Sequence, residues 1–78
     1  MSQLLYITTE DCHLCEHSRR VLDELGVARR ELDVASEEAT ALAEDGIPLS
    51  FLPVLTDGTH VIAFGRFSAK RLRKELGL

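Results

Sequence analysis

The spacing of apolar residues changes repeatedly along this chain, and the order of these changes limits the folds open to it. Short runs of apolar and β-favouring residues indicate four strands, at 3–8, 27–34, 53–56 and 59–64. Residues 12–25 instead place apolar residues at steps of three and four, which is typical of one face of an amphipathic helix. Two more helices are expected after Ser36 and Ser68, because serine is a favoured N-cap residue.

The predicted order of elements is therefore β-α-β-α-β-β-α. Gly26, Gly46 and Gly77 follow the three predicted helices, and Asp57-Gly58 predicts a hairpin turn between the last two strands. A βαβ unit pairs its strands in parallel, whereas a hairpin adds antiparallel strands. We predict one α/β domain over residues 1–78, with a four-stranded mixed sheet and helices on both faces.

The net charge of −4 is unevenly distributed. Residues 1–46 hold eleven acidic and four basic side chains, a net charge of −7, whereas residues 47–78 hold two acidic and five basic ones, a net charge of +3. The basic residues cluster between Lys70 and Lys74 without interleaved aromatic residues, which favours a solvated helix face over a nucleic-acid site. We expect no nucleic-acid partner.

The N-terminal residues show neither the basic segment nor the long apolar run of a signal peptide, and the longest stretch without a polar residue is 51–55. We therefore expect no membrane association and a cytoplasmic location. In such a reducing compartment, a close pair of cysteines is more often catalytic or metal-binding than structural. The pair Cys12 and Cys15 would in any case close too short a loop to stabilise the fold.

Cys12 stands at the predicted N-terminus of the first helix, and Cys15 follows one turn later. Free backbone N–H groups and the helix dipole at this position stabilise a thiolate. Cys12 is therefore the expected nucleophile. Cys15, which borders the apolar face, is expected to be the more buried resolving thiol. Such a pair at the first βα junction is a moderately specific indication of redox chemistry.

The cysteine pair has two other possible interpretations. A zinc site would need four ligands, and Cys12, Cys15 and His17 supply three at most, so a metal site would borrow a ligand from elsewhere. Two small core cysteines without chemical function are the other alternative. We expect no bound metal.

The residues around the pair resemble the glutaredoxin-like family of the thioredoxin superfamily. The resemblance rests on the stretches Thr8-Thr9-Glu10-Asp11-Cys12-His13-Leu14-Cys15 and Leu52-Pro53-Val54-Leu55, and on the region of Gly65, and so spans nearly the whole chain. It implies a thioredoxin-like fold in which a cis Pro53 faces the cysteines and the Leu52 backbone pairs with an extended thiol substrate. The alternative for Pro53 is an ordinary proline at the start of a strand.

The resemblance also implies a thiol-disulfide oxidoreductase, here expected to be a monomer. Its substrates would be disulfide-containing proteins or low-molecular-weight thiols. It would use no cofactor beyond an electron donor such as glutathione or a flavoprotein reductase. An alternative is an interaction domain that keeps the fold and has lost turnover, and a carrier of zinc or an iron–sulfur cluster is another.

Several positions depart from the family pattern for glutathione. Thr9 stands where a lysine is common, and His13-Leu14 replaces a proline-aromatic pair. Gly65, Arg66 and Ser68 occupy the place of the carboxylate-binding residues, with Arg66 able to contribute charge and Ser68 a helix N-terminus.

The acidic residues Glu10, Asp11 and Glu16 disfavour both a thiolate at Cys12 and an anionic ligand. We therefore expect glutathione to be a poor substrate. His13 either modulates the thiolate or is an exposed helix residue.

The apolar pattern predicts a core whose members are Leu5, Ile7, Leu14, Val21, Leu22, Leu25, Leu32, Leu42, Val54, Leu55, Val61, Ile62, Phe64 and Leu72. Phe67 is expected to pack under the last helix. Phe51 is either packed or an exposed partner contact.

Overall fold

A computed structural model describes residues 3–78; residues 1 and 2 of the predicted domain lie outside this range. The strands are β1 (Leu5–Thr8), β2 (Arg30–Asp33), β3 (Val54–Thr56) and β4 (Val61–Phe64). The helices are α1 (His13–Glu24), α2 (Glu37–Glu44) and α3 (Ala69–Leu76). The order of elements along the chain confirms the α/β class predicted from the sequence.

The four strands form one mixed sheet in the spatial order β2-β1-β3-β4. Strand β1 pairs in parallel with β2 and antiparallel with β3, and β3 pairs antiparallel with β4. The parallel pair is joined through α1, as expected for a βαβ unit. Within residues 3–78, no helix is both long and apolar enough to cross a membrane.

The helices begin at the predicted caps. Ser36 Oγ accepts a hydrogen bond from the Ala39 N–H at 3.2 Å, and Ser68 Oγ accepts one from the Arg71 N–H at 3.4 Å. At the end of α1, Gly26 adopts a positive φ of 68°, a conformation that glycine takes without a Cβ clash. These local features were predictable because they depend on neighbours in sequence.

Apolar side chains fill both faces of the sheet, because consecutive strand residues point in opposite directions. The cluster beneath α1 and α3 consists of Tyr6, Val21, Leu22, Val27, Leu55, Phe67 and Leu72. The cluster beneath α2 consists of Ile7, Leu32, Ala39, Ile47 and Val54. The adjacent pairs Tyr6/Ile7 and Val54/Leu55 therefore divide between the two clusters.

The predicted core is wrong at Leu14 and Phe64, whose side chains are 44% and 60% exposed. Leu14 lies in the first turn of α1, beside the exposed loop 9–11, and the buried face of the helix begins only at Cys15. Phe64 ends the edge strand β4, which within residues 3–78 is paired on one side only, with β3. Phe67, by contrast, is buried as expected, and Phe51 is 70% exposed.

The Asp57-Gly58 turn is present, but the loop between β3 and β4 has four residues and β4 begins at Val61. Asp57 Oδ1 accepts hydrogen bonds from the N–H groups of Thr59 and His60 at 2.8 and 2.7 Å. Thr56 Oγ1 accepts from the Gly58 N–H and donates to the His60 C=O. These side-chain bonds to the backbone favour the longer loop over a two-residue turn.

Candidate functional site

The two cysteines lie at the start of α1 and are joined by a disulfide bond, with their Cα atoms 5.1 Å apart. Cys12 is the N-cap residue, and its Sγ accepts a hydrogen bond from the Cys15 N–H at 3.0 Å. Cys15 is 2% exposed, as expected, and Cys12 is only partly buried. The outer sulfur is therefore the one that a substrate can reach.

The backbone of Cys15 is held by a buried tyrosine. The Tyr6 hydroxyl donates to the Cys15 C=O at 2.6 Å, and the Tyr6 ring meets Phe67 edge-on at 5.8 Å between ring centroids. Burial raises the pKa of Tyr6 to about 12, so the hydroxyl keeps its proton and remains a donor at neutral pH. The sequence pattern predicts a strand at Tyr6 but contains no indication of this contact.

Ser18 connects α1 to the loop before α3. Its hydroxyl donates to the Gly65 C=O at 3.3 Å and accepts from the Phe67 N–H at 3.4 Å. Ser18 is fully buried one turn after Cys15. The only sequence indication was a small polar residue on an otherwise apolar helix face.

A further hydrogen bond joins this loop to the segment before β3. The Gly65 N–H donates to the Pro53 C=O at 2.8 Å, and the Leu52–Pro53 peptide bond is cis. Among residues 3–78, no turn or loop hydrogen bond occupies the N–H or C=O of Leu52. The structure thus brings Pro53 and Gly65 together and links both to α1 through Ser18.

The other residues suggested by the family resemblance lie at the surface. Thr9, His13, Arg66 and Ser68 are exposed. The hydroxyl of Ser68 is engaged as the N-cap of α3. Within residues 3–78, no hydrogen bond joins the side chain of Thr9 or Arg66 to either cysteine. Their predicted role as substrate contacts remains a prediction.

Glu10, Asp11 and Glu16 are exposed around the start of α1. Asp11 adopts a positive φ of 53°, a conformation that aspartate tolerates better than most residues, and so turns the chain from β1 towards the helix. Glu16 lies in the first turn of α1, and the last turn has no basic residue. The local charge near Cys12 is therefore negative.

A small apolar notch of about 130 Å³ is lined by Pro48, Phe51 and Phe64. The rings of Phe51 and Phe64 lie 6.3 Å apart at an interplanar angle of 41°. Phe51 thus packs against a second exposed ring instead of entering the core. Of the two possibilities left open by the sequence, packed or exposed, the structure shows the exposed one.

Comparisons with protein families, with curated proteins and with solved structures find no significant match. Within the described part of the chain, no three histidine, cysteine, aspartate or glutamate side chains lie together in a way that would hold a metal ion. The chemical feature of the site is a disulfide with one partly exposed and one buried sulfur, at a helix N-terminus that favours negative charge.

Proposed function

We propose that this chain is a thiol-disulfide oxidoreductase of the glutaredoxin-like kind. The observation that carries the proposal is the Cys12–Cys15 disulfide at the N-cap of α1, with the outer sulfur accessible and the inner one buried. The mixed sheet with helices on both faces is compatible with a thioredoxin-like fold. Because a fold does not by itself confer activity, the argument rests on the cysteine pair.

In the reduced protein, the Cys12 thiolate attacks one sulfur of a substrate disulfide. The substrate S–S bond breaks, a mixed disulfide forms at Cys12, and the departing sulfur leaves as a thiolate that takes a proton from water. Cys15 then loses its proton and attacks Cys12 Sγ, which releases the second substrate thiol. Two electrons pass from the protein to the substrate, and the Cys12–Cys15 disulfide remains.

A thiol such as glutathione, or a flavoprotein reductase, would return the two electrons in the reverse exchange. The exposed carboxylates of Glu10, Asp11 and Glu16 disfavour an anionic tripeptide near Cys12. We therefore favour a protein or a neutral dithiol over glutathione as the efficient donor. The chemistry needs no metal or organic cofactor in the chain itself.

Substrate docking is proposed at the backbone of Leu52, beside Pro53. Its N–H and C=O have no loop hydrogen bond among residues 3–78, so an extended segment of the substrate can pair with them. Gly65, Arg66 and Ser68 are proposed to flank the substrate on one side and Thr9 on the other. His13, exposed in the first turn of α1, is proposed to modulate the thiolate.

Turnover of a model disulfide tests the proposal. The wild type is assayed with glutathione and its reductase, and separately with a thioredoxin reductase, beside Cys12→Ser and Cys15→Ser. We expect activity with at least one donor, complete loss in Cys12→Ser, and accumulation of a mixed disulfide in Cys15→Ser. Activity with neither donor, or activity that survives Cys12→Ser, would favour an interaction domain without turnover.

A further inference from the structure

A second concave surface lies between the edge strand β4 and helix α3. It has a volume of about 440 Å³, and its apolar floor is formed by residues 61–64 together with Phe67 and Leu72. Its polar wall is formed by Arg66, Ser68, Arg71 and Glu75. None of Cys12, Cys15, Leu52 or Pro53 lines it. Arg66 and Ser68, which are proposed above to flank the redox substrate, lie at this groove, but Arg71, Leu72 and Glu75 have no part in the proposed redox reaction.

The strand along this groove has an unpaired edge. Within residues 3–78, β4 is one of the two edge strands of the sheet and pairs only with β3. The Gly65 N–H points to Pro53 on the β3 side, so the alternation of an antiparallel ladder turns the N–H and C=O of Phe64 outward. An exposed edge with free donors and acceptors is where an extended peptide can add as another strand.

The length of the β4 edge limits how many residues of a bound peptide can pair with it. Strand β4 has four residues, and the register shift opposite Leu55 and Thr56 interrupts its ladder. At about 3.3 Å per residue, the strand spans roughly 13 Å. A peptide added there would pair over three or four residues, which is a short linear segment and not a whole sheet.

The charge of the groove indicates the chemistry of that segment. In the described part of the chain, neither Arg66 nor Arg71 has a carboxylate within ion-pair distance. Arg71 and Glu75 lie four residues apart on α3, yet they form no ion pair. Two free guanidinium groups beside an apolar floor favour a segment whose groove-facing residues, every second residue of a strand, include both acidic and apolar side chains.

We propose that the groove between β4 and α3 binds a short extended acidic segment of a partner protein. The segment adds to the edge of β4, places apolar side chains over Phe67 and Leu72, and directs carboxylates to Arg66 and Arg71. Arg66 also flanks the proposed redox substrate, whereas Arg71 has no role in the proposed redox reaction, so Arg71→Glu distinguishes failure of this proposal from failure of the redox function.

The probe is a labelled hexapeptide with glutamate, valine and glutamate at its first, third and fifth positions and threonine at the others, so that the acidic and apolar side chains share one face. Fluorescence anisotropy at low salt measures its binding. We expect saturable binding that Arg66→Glu and Arg71→Glu each weaken about fivefold or more, the size expected when a close charge pair is lost. Lys74→Glu is the matched control, since it makes the same charge change on α3 outside the groove. It should change affinity less than twofold, and the same peptide with glutamine in place of glutamate should bind less tightly.

Nuclear magnetic resonance provides a second readout. Added peptide should shift the backbone amide of Phe64 while leaving the amides of β2, on the opposite edge of the sheet, unchanged. Equal losses in Lys74→Glu and Arg71→Glu would overturn the proposal in favour of diffuse charge attraction. Absence of saturation would overturn it, as would a concentration-dependent dimer that covers β4 in sedimentation experiments.

Discussion

The hydroxyl of Ser18 donates a hydrogen bond to the carbonyl of Gly65 at 3.3 Å, across 47 positions of the chain. The same hydroxyl accepts from the Phe67 N–H, so one buried side chain satisfies two backbone groups of the loop before α3. Gly65 in turn donates to Pro53. Through these bonds, the helix that carries both cysteines and the proposed substrate-docking segment are held in one arrangement.

We predict that Ser18→Ala lowers the free energy of unfolding by roughly 1–3 kcal/mol, because it leaves the Phe67 N–H and the Gly65 C=O without their partner. Urea unfolding measures this change. Ser50→Ala is the control, since Ser50 is exposed, and it should change the free energy of unfolding by about 0.5 kcal/mol or less. Equal values for the two variants would show that the hydroxyl of Ser18 contributes no net stability.

Features that depend on residues close together in the chain could be predicted from the sequence. The caps Ser36 and Ser68 and the helix end at Gly26 follow from the local geometry of helix termini. The order of strands and helices follows from the period of the apolar residues. These features were enough to predict the α/β class and the position of Cys12 at a helix N-terminus.

Features that depend on tertiary packing could not be predicted from the sequence. The partner of Ser18 lies 47 residues away, and the partner of Tyr6 is a backbone carbonyl that no residue pattern marks. Helical spacing placed Leu14 in the core, yet burial of the first turn depends on what lies beneath it. The same applies to Phe64, since nothing in an apolar run tells an edge strand from a central one.

Tyr6→Phe should lower the free energy of unfolding by about 0.5–1.5 kcal/mol at neutral pH, through loss of the bond to the Cys15 C=O. The size of this loss depends on pH. Burial raises the pKa of folded Tyr6 to about 12 from 10.0, so the folded state binds the proton more tightly. The linked stability is complete below pH 10 and is lost as the pH rises towards 12, by at most about 3 kcal/mol.

Tyr6 is the only tyrosine in the chain, so near-ultraviolet absorbance of tyrosinate follows this one group. Urea unfolding of the wild type and Tyr6→Phe over the same pH range gives the corresponding stabilities. The wild type should lose stability in strong alkali more steeply than the variant. A tyrosinate midpoint near the ordinary value in the folded protein would contradict the burial of the Tyr6 hydroxyl.

Asp57→Ala should destabilise the loop between β3 and β4 by on the order of 1 kcal/mol, because the Thr59 and His60 N–H groups lose their acceptor. Asp57→Asn keeps an acceptor oxygen and should lose less. The backbone hydrogen bonds from His60 and Thr59 lower the pKa of Asp57. Its stabilisation is therefore present above the ordinary pKa of 3.8 and lost as the pH falls below it.

Acid unfolding monitored by circular dichroism separates the effect of Asp57 from that of the other carboxylates. The difference in stability between the wild type and Asp57→Asn should shrink below pH 3.8 as Asp57 protonates. A difference that stays constant from neutral pH into this range would show that the charge of Asp57 does not strengthen the loop bonds.

Removing negative charge beside Cys12 should speed its alkylation in the reduced protein. The carboxylates of Asp11 and Glu16 oppose the thiolate that the helix N-terminus stabilises. Asp11→Asn and Glu16→Gln should each raise the rate about two- to fivefold at fixed pH, the size expected for one exposed charge. Glu24→Gln, at the far end of α1, is the matched control and should leave the rate unchanged.

Added salt should reduce these differences, since screening weakens interactions between exposed charges. The rate is measured with a limiting alkylating reagent, and mass spectrometry identifies the modified cysteine. In the wild type, Cys12 should react well before the buried Cys15. If both carboxylate variants match Glu24→Gln, the acidic residues do not control the thiolate, and the electrostatic argument against glutathione as a substrate no longer holds.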